Sequence, residues 1–231
     1  MISESMAILI GCSGWSYDDW VGRFYPMALA KKKDAWLAYY AKYFRTVEIN
    51  STFYRPPGEL QVSSWIKKGH DLSDFEYSLK MPELVTHKSM VQGEAGTAVH
   101  GAKAFEKTCV QPLGEAGLLG CVLLQLSPYF QNTAGAQRIL ETVLDALSFR
   151  DYSYAVEFRH RTWQEAGTEE IDPWVPRIKE AELKARAVRV YFNNHARSKS
   201  VRNAFQLMDQ LMLPHESREI QLQNQFTLEN F

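Results

Sequence analysis

The sequence predicts an α/β protein of parallel strands joined by crossover helices. Three observations carry that prediction. Apolar, strand-like runs alternate with segments of helical periodicity along all 231 residues, the pattern that parallel sheets leave in a sequence. Every predicted strand ends on polar residues just before the turn into the next helix. No internal repeat and no linker-like stretch divides the chain. With 45% hydrophobic and 23% charged residues, the chain has the composition of a folded protein able to bury one good core.

The first strand is Ala7-Ile8-Leu9-Ile10-Gly11, running into Cys12-Ser13-Gly14-Trp15-Ser16-Tyr17. The connection onward to Lys33 is long and rich in Trp, Tyr and Phe, which argues for an ordered, functional segment. Asp34 then caps a helix in which Leu37, Tyr40, Ala41 and Phe44 recur at helical spacing. The second strand opens the stretch Val47-Glu48-Ile49-Asn50-Ser51-Thr52-Phe53-Tyr54-Arg55-Pro56-Pro57, which closes as a polar, aromatic loop. Alternation puts Val47 and Ile49 on one face and Glu48 and Asn50 on the other. A carboxylate in mid-strand is costly to bury without a partner.

Glu59 to Gly69 reads as a helix with Val62, Trp65 and Ile66 inward, and Phe75 to Lys80 as a third strand stopped by Pro82. A helix from about Thr97 to Gln111 is expected to break at Pro112. Leu118 to Ser127 is the fourth strand, Gly135 to Leu147 a helix, and Tyr154 to Arg159 the fifth strand. Glu169 to Arg186 is mainly helical, with Pro173 and Pro176 near its start, where proline is tolerated. Ala187 to Phe192 is the sixth strand. Ser198 or Ser200 caps a last helix that buries Val201, Phe205, Met208 and Met212. The domain is expected to span residues 1–213, with 214–231 a polar, Gln/Asn-rich tail that is loosely held or docked late.

Lys and Arg total 26 against 27 Asp and Glu, a formal net charge of -1. That balance argues against a protein that coats nucleic acid and leaves room for a local basic groove. Cys12, Cys109 and Cys121 are odd in number and lack metal-ligand spacing, so neither a disulfide framework nor a zinc ribbon is expected. A reducing, cytoplasmic setting follows. Residues 1–10 lack a basic start followed by a long apolar run, so no signal peptide is expected. The longest apolar stretch, around Ala116 to Leu126, is about half the roughly 20 residues that a membrane span needs. It reads as a buried strand, and no membrane association is expected.

The polar strand ends are Ser13; Glu48 and Asn50; Ser78 and Lys80; Gln125 and Ser127; Glu157, Arg159 and His160; and Asn193, Asn194 and His195. In parallel α/β folds, sites are built at that end of the sheet. Polar ends on all six strands therefore predict one ligand pocket. Glu48 and Glu157 could serve as an acid and a base, because carboxylates in unlike surroundings divide those roles. A glycosidase reading would turn on their separation. Equally, Glu157 and Arg159 share a strand face and could simply pair, as could Glu48 and Lys80. His87, His160 and His195 each follow a strand end and could hold a divalent metal with the glutamates. A lone hydrogen-bonding role is the favoured reading of each, so no metal ligand is assigned.

His195 to Arg202 leads into a helix start with two serines and three long cations. That composition can hold phosphate and equally describes a solvated helix start. Trp15, Tyr17, Trp20, Phe24, Tyr25, Phe53, Tyr54 and Trp163 could stack on a base or sugar, with about half expected to be plain packing. Lys31, Lys32 and Lys33 read as exposed.

Several of these motifs together resemble the DUF72 (YecE-like) family. Gly11-Cys12-Ser13-Gly14-Trp15-Ser16-Tyr17, with Trp20 and Phe24-Tyr25-Pro26, is similar to the family's opening signature. Val47 to Tyr54, Lys80-Met81-Pro82 with Thr86-His87, Ala155 to His160 with Trp163, and Tyr191 to Asn194 with Asn203-Ala204 resemble its later signatures, in the same order. Cys12 stands where many members carry threonine. The resemblance covers about nine-tenths of the chain. It implies a TIM-type (β/α) barrel and no established reaction. Such barrels look similar to those of endonuclease IV and xylose isomerase type enzymes, an analogy of fold alone. The family normally carries two further strand–helix units between Trp163 and Tyr191, where this sequence has room for one helix. The barrel is therefore expected to be incomplete, with six strand–helix units. Either the protein has lost the other two or residues are missing from the sequence. Open sheet edges would follow, covered by the tail or by a homodimer.

Three functions compete. The first is a pocket that binds or hydrolyses a small polar ligand, phosphorylated or sugar-like. In it Glu48 and Glu157 do acid/base work, and Lys80 and Arg159 supply charge. Asn50, Asn193 and Asn194 orient the ligand, with Ser13, Trp15, Tyr17, Tyr54, Gln125 and His160 around it. The second is nucleic-acid binding or processing through the aromatic loops and the basic helix start. The third is a degenerate barrel kept for binding or assembly.

Overall fold

The computed structural model describes residues 7–148, 150–160, 162, 187–192 and 199–215. The chain forms two compact units, one of Met1–Val47 with Glu169–Phe231 and one of Glu48–Thr168. The described residues form six strands, β1 (Ala7–Ser13), β2 (Thr46–Ile49), β3 (Glu76–Lys80), β4 (Leu119–Gln125), β5 (Tyr154–Glu157) and β6 (Ala187–Phe192). They follow the order β5-β4-β3-β2-β1-β6, and β2 carries the boundary between the units. The pairs β1–β6, β3–β4 and β4–β5 are parallel. This is the α/β class that the alternation predicts, and the order is compatible with an incomplete (β/α) barrel.

The first unit is built on an aromatic core. Trp20, Phe24, Tyr25, Trp36, Tyr40 and Phe44 are all buried, and Tyr25 stacks on Trp36 with ring centroids 4.8 Å apart. Helix α1 (Trp36–Tyr40) delivers Tyr40, whose hydroxyl donates to the Thr46 carbonyl (2.9 Å) and accepts from the Cys12 N–H (2.8 Å). Gly11 is what lets the backbones approach there, since a Cβ on it would stand 2.2 Å from the Thr46 carbonyl oxygen. The last described helix, which we number α7 (Lys199–Gln210), adds Val201, Phe205 and Met208 to the same core.

In the second unit β3 and β4 meet with a bulge. Tyr77 pairs with Leu119 but Leu79 with Val122, so one extra β4 residue has to be absorbed between them. Ser78 Oγ accepts the Cys121 N–H (3.0 Å), which satisfies a backbone donor at the irregularity. Gly120 fits the same spot because a Cβ on it would lie 2.8 Å from that oxygen. Helix α2 (Ser51–Tyr54) follows β2, and α3 (Glu59–His70) buries Val62, Trp65 and Gly69. A long helical stretch runs through α4 (Ala95–Phe105), a π-helical stretch (Glu106–Val110) and α5 (Gln111–Glu115). Helix α6 (Ala134–Asp145) is capped by the Thr133 hydroxyl, which accepts the Ala136 N–H at 3.1 Å.

The structure departs from the sequence reading at five places. The loop expected after β2 begins with the single helical turn of α2. Pro112 does not end its helix, because it sits in the first turn of α5, where its missing N–H costs no intrahelical bond. A π-helical stretch at Leu84–Ser89 follows β3 and was not anticipated. Helix α1 has no side-chain cap, and a 3-10 turn at Lys33–Ala35 leads into it instead of Asp34 capping it. Met212, expected inward, is 83% exposed, because the chain leaves the helix there at φ 55° and turns Leu211 inward.

Cys12, Cys109 and Cys121 are free thiols. Burial pushes Cys12 and Cys109 up to about 12, so neither is a nucleophile at neutral pH. Among the described residues no helix is long and apolar enough to cross a membrane. The helix expected over Glu169 to Arg186, Trp163, Asn193, Asn194, His195, Ser198 and the tail beyond His215 lie outside the described residues.

Candidate functional site

The second unit gathers its charged strand ends around Lys80. The sequence fixes this lysine twice. Its backbone is bolted by Thr52, a fully buried residue of α2, whose hydroxyl accepts the Lys80 N–H (3.0 Å) and lies 2.7 Å from the Lys80 carbonyl oxygen. The residue is 4% exposed, and its side chain donates to Asn50 Oδ1 (3.2 Å) and places Nζ 5.1 Å from the centre of the Phe53 ring. Burial lowers the Lys80 pKa. The carboxylates of Glu48 and Glu157 act against that shift, and Arg159 adds to it. Glu48 is itself only 5% exposed, so the carboxylate noted in mid-strand is buried in the electrostatic field of Lys80.

Glu157 closes β5 and is the register partner of Gln125 at the end of β4. Gln125 Nε2 donates to Glu157 Oε2 at 2.7 Å, and Arg159 Nε stands 3.8 Å from Glu157 Oε1. The Glu157 and Arg159 side chains are each 43% exposed. The two carboxylates thus have unlike surroundings, one enclosed and one open and held by an amide.

His87 belongs with this group, although the sequence reading left it out of the pocket. It lies on the π-helical stretch after β3, edge-on to Phe53 with centroids 4.8 Å apart, and its Nδ1 meets Thr86 Oγ1 at 2.9 Å. Burial lowers its pKa, helped by Arg159 and Lys80 and opposed by Glu83 and Glu157. The available signal was its place in Lys80-Met81-Pro82 with Thr86-His87, one strand end further on. Phe53, counted only as a stacking candidate, lies between Lys80, His87 and Tyr54.

Other candidates make local contacts. Tyr54 is 68% exposed beside Phe53. His160 Nδ1 accepts the Thr162 N–H (3.1 Å), and Thr162 in turn bonds Asn132. Ser127 Oγ accepts the Tyr129 N–H (3.2 Å), a turn contact. Ser13, Trp15 and Tyr17 lie in the first unit, where the Tyr17 hydroxyl donates to the Ser13 carbonyl (2.7 Å) and Tyr25 donates to that of Trp15. Trp20, Phe24 and Tyr25 are core. Among the described residues no three His, Cys, Asp or Glu side chains converge as metal ligands.

The sequence model described as "protein of unknown function DUF72" matches residues 9–171 and 165–226. The chain belongs to the DUF72 family. Two solved DUF72 structures share its fold. One, from Thermotoga maritima MSB8, is 23% identical with a TM-score of 0.72, covering 89% of this chain and 99% of its own. The other, from Enterococcus faecalis V583, is 19% identical with a TM-score of 0.68, covering 90% of this chain and 97% of its own. No curated protein matches the chain. In this DUF72 chain the Lys80 cluster draws on residues of the family-like signatures at Val47 to Tyr54, Lys80 to His87 and Ala155 to His160.

Proposed function

We propose that the Lys80 cluster binds a small polar ligand, phosphorylated or sugar-like, and that Glu48 and Glu157 act as acid and base in its hydrolysis. The observation that carries this reading is a lysine held 4% exposed among two carboxylates and an arginine at the ends of neighbouring strands. Enclosing such charges costs stability that an apolar core would not, so a ligand is the better reason for their presence. Arg159, 43% exposed, is free to take an anionic group from solvent. Asn50 orients the ligand through its tie to Lys80. The three free thiols suit a reducing, cytoplasmic setting.

Calorimetric titration with sugar phosphates tests the reading. Binding lost in Glu157→Gln or Arg159→Ala supports it, and no binding by any sugar phosphate overturns it. The exposed rings of Tyr54 and Tyr129 favour nucleic acid as a second reading. Oligonucleotide affinity that falls steeply with salt is its signature.

A further inference from the structure

Lys80 is buried, whereas Lys31, Lys32, Lys33, Lys42, Lys88, Lys103 and Lys107 are exposed. It is also firmly placed. Strand β3 and the Thr52 hydroxyl fix its backbone, and Asn50 and Phe53 fix its amine. A counter-ion for a carboxylate needs none of this, whereas an amine that must meet one carbon atom at one angle does. Groups able to carry protons surround it, with Glu48 and Glu157 acting on it directly and His87 lying within its field.

We propose that Lys80 Nζ forms an imine with the carbonyl carbon of an aldose or ketose phosphate held in this pocket. The proposal rests on the ligand reading above and adds the reactive group of that ligand. The amine lone pair attacks the carbonyl carbon, and the C=O π pair moves to oxygen. Two hydrogens pass from nitrogen to that oxygen, which leaves as water, and the resulting iminium keeps the single positive charge that the ammonium brought. Glu157 and His87 relay the protons, and Arg159 holds the phosphate. Burial and Arg159 lower the Lys80 pKa and so enlarge the free-amine fraction that attacks.

The test uses the full chain with dihydroxyacetone phosphate as the carbonyl probe. Glycerol 3-phosphate, which has no carbonyl, serves as the binding control. After borohydride reduction, peptide mass mapping is expected to find the adduct on Lys80 at least about 10-fold faster than on Lys31, Lys32 or Lys42, as an activated amine requires. Lys80→Arg cannot form the imine, so it is expected to lose the adduct, while glycerol 3-phosphate binding is read on the native chain. Glycerol 3-phosphate binding with Lys80 unlabelled, or with label spread over the exposed lysines, overturns the imine and leaves the ligand reading standing. Failure of both phosphates to bind overturns both.

Discussion

Arg159 and Glu157 show how little a visible ion pair decides. At 3.8 Å, with both side chains 43% exposed, such a contact contributes about 0–1 kcal/mol to folding. Arg159→Ala is therefore expected to leave the thermal melt nearly unchanged. It should weaken an anionic ligand by about 1.5–3 kcal/mol, the scale of a hydrogen bond to a charged group. Calorimetric titration beside melts separates the two, and a collapsed melt with unaltered affinity would make Arg159 a structural partner of Glu157. His87 gives a prediction in pH. Its folded pKa lies below its ordinary 6.5, so between the two values the unfolded chain binds the extra proton. Stability from this site is thus present above pH 6.5 and lost as pH falls through that value towards the folded pKa. The melting temperature of the native protein should fall more than that of His87→Gln between about pH 7.5 and about pH 5. Equal slopes would remove His87 from the charged group. Lys80, Asn50 and Glu157 were legible because strand alternation and the strand-end rule need only local sequence. His87 was legible only as a residue following a strand end; its packing on Phe53 was not, because no periodicity marks the π-helical stretch that carries it.

At the scale of elements, boundaries were set by hydrogen bonds that sequence periodicity does not report. The described strands and the amphipathic helices α3, α6 and α7 stand close to where alternation and helical spacing put them, with Val47, Ile49, Leu79, Val122, Val62, Leu140 and Phe205 buried on them. The turn of α2 instead depends on Thr52, whose hydroxyl serves the Lys80 backbone 28 residues away. The β3–β4 bulge likewise depends on Ser78 reaching the Cys121 N–H. Such partners are visible only once strands are paired. Thr52→Val keeps the shape and removes the hydroxyl, leaving the Lys80 N–H and carbonyl without that partner. The expected loss is about 1–3 kcal/mol of unfolding free energy, the penalty for an unmet buried polar group. Denaturant titration measures it. A change under about 0.5 kcal/mol, the scale of an ordinary surface substitution, would mean that the turn does not depend on this bond.

For the whole molecule the open question is what lies beside the outer strands. The sheet order places β5 and β6 at its ends, and among the described residues each has one strand neighbour. The family match falls into two stretches that meet at residues 165–171, within the interval where the sequence leaves room for one helix in place of two strand–helix units. A sheet short of those units keeps unpaired N–H and carbonyl groups on its outer strands, and such edges pair with other chains unless they are covered or charged. β5 reads Tyr-Ala-Val-Glu, with a single charge and no proline or lysine to discourage pairing. We therefore expect a homodimer through β5, seen by light scattering or native mass spectrometry as twice the chain's 26.5 kDa. Ala155 is exposed on that strand, so Ala155→Lys should shift the equilibrium to monomer at a folding cost within about 0.5 kcal/mol. A native protein that stays monomeric at high micromolar concentration would mean that the edge is already covered within one chain. A dimer indifferent to Ala155→Lys would move the interface away from β5.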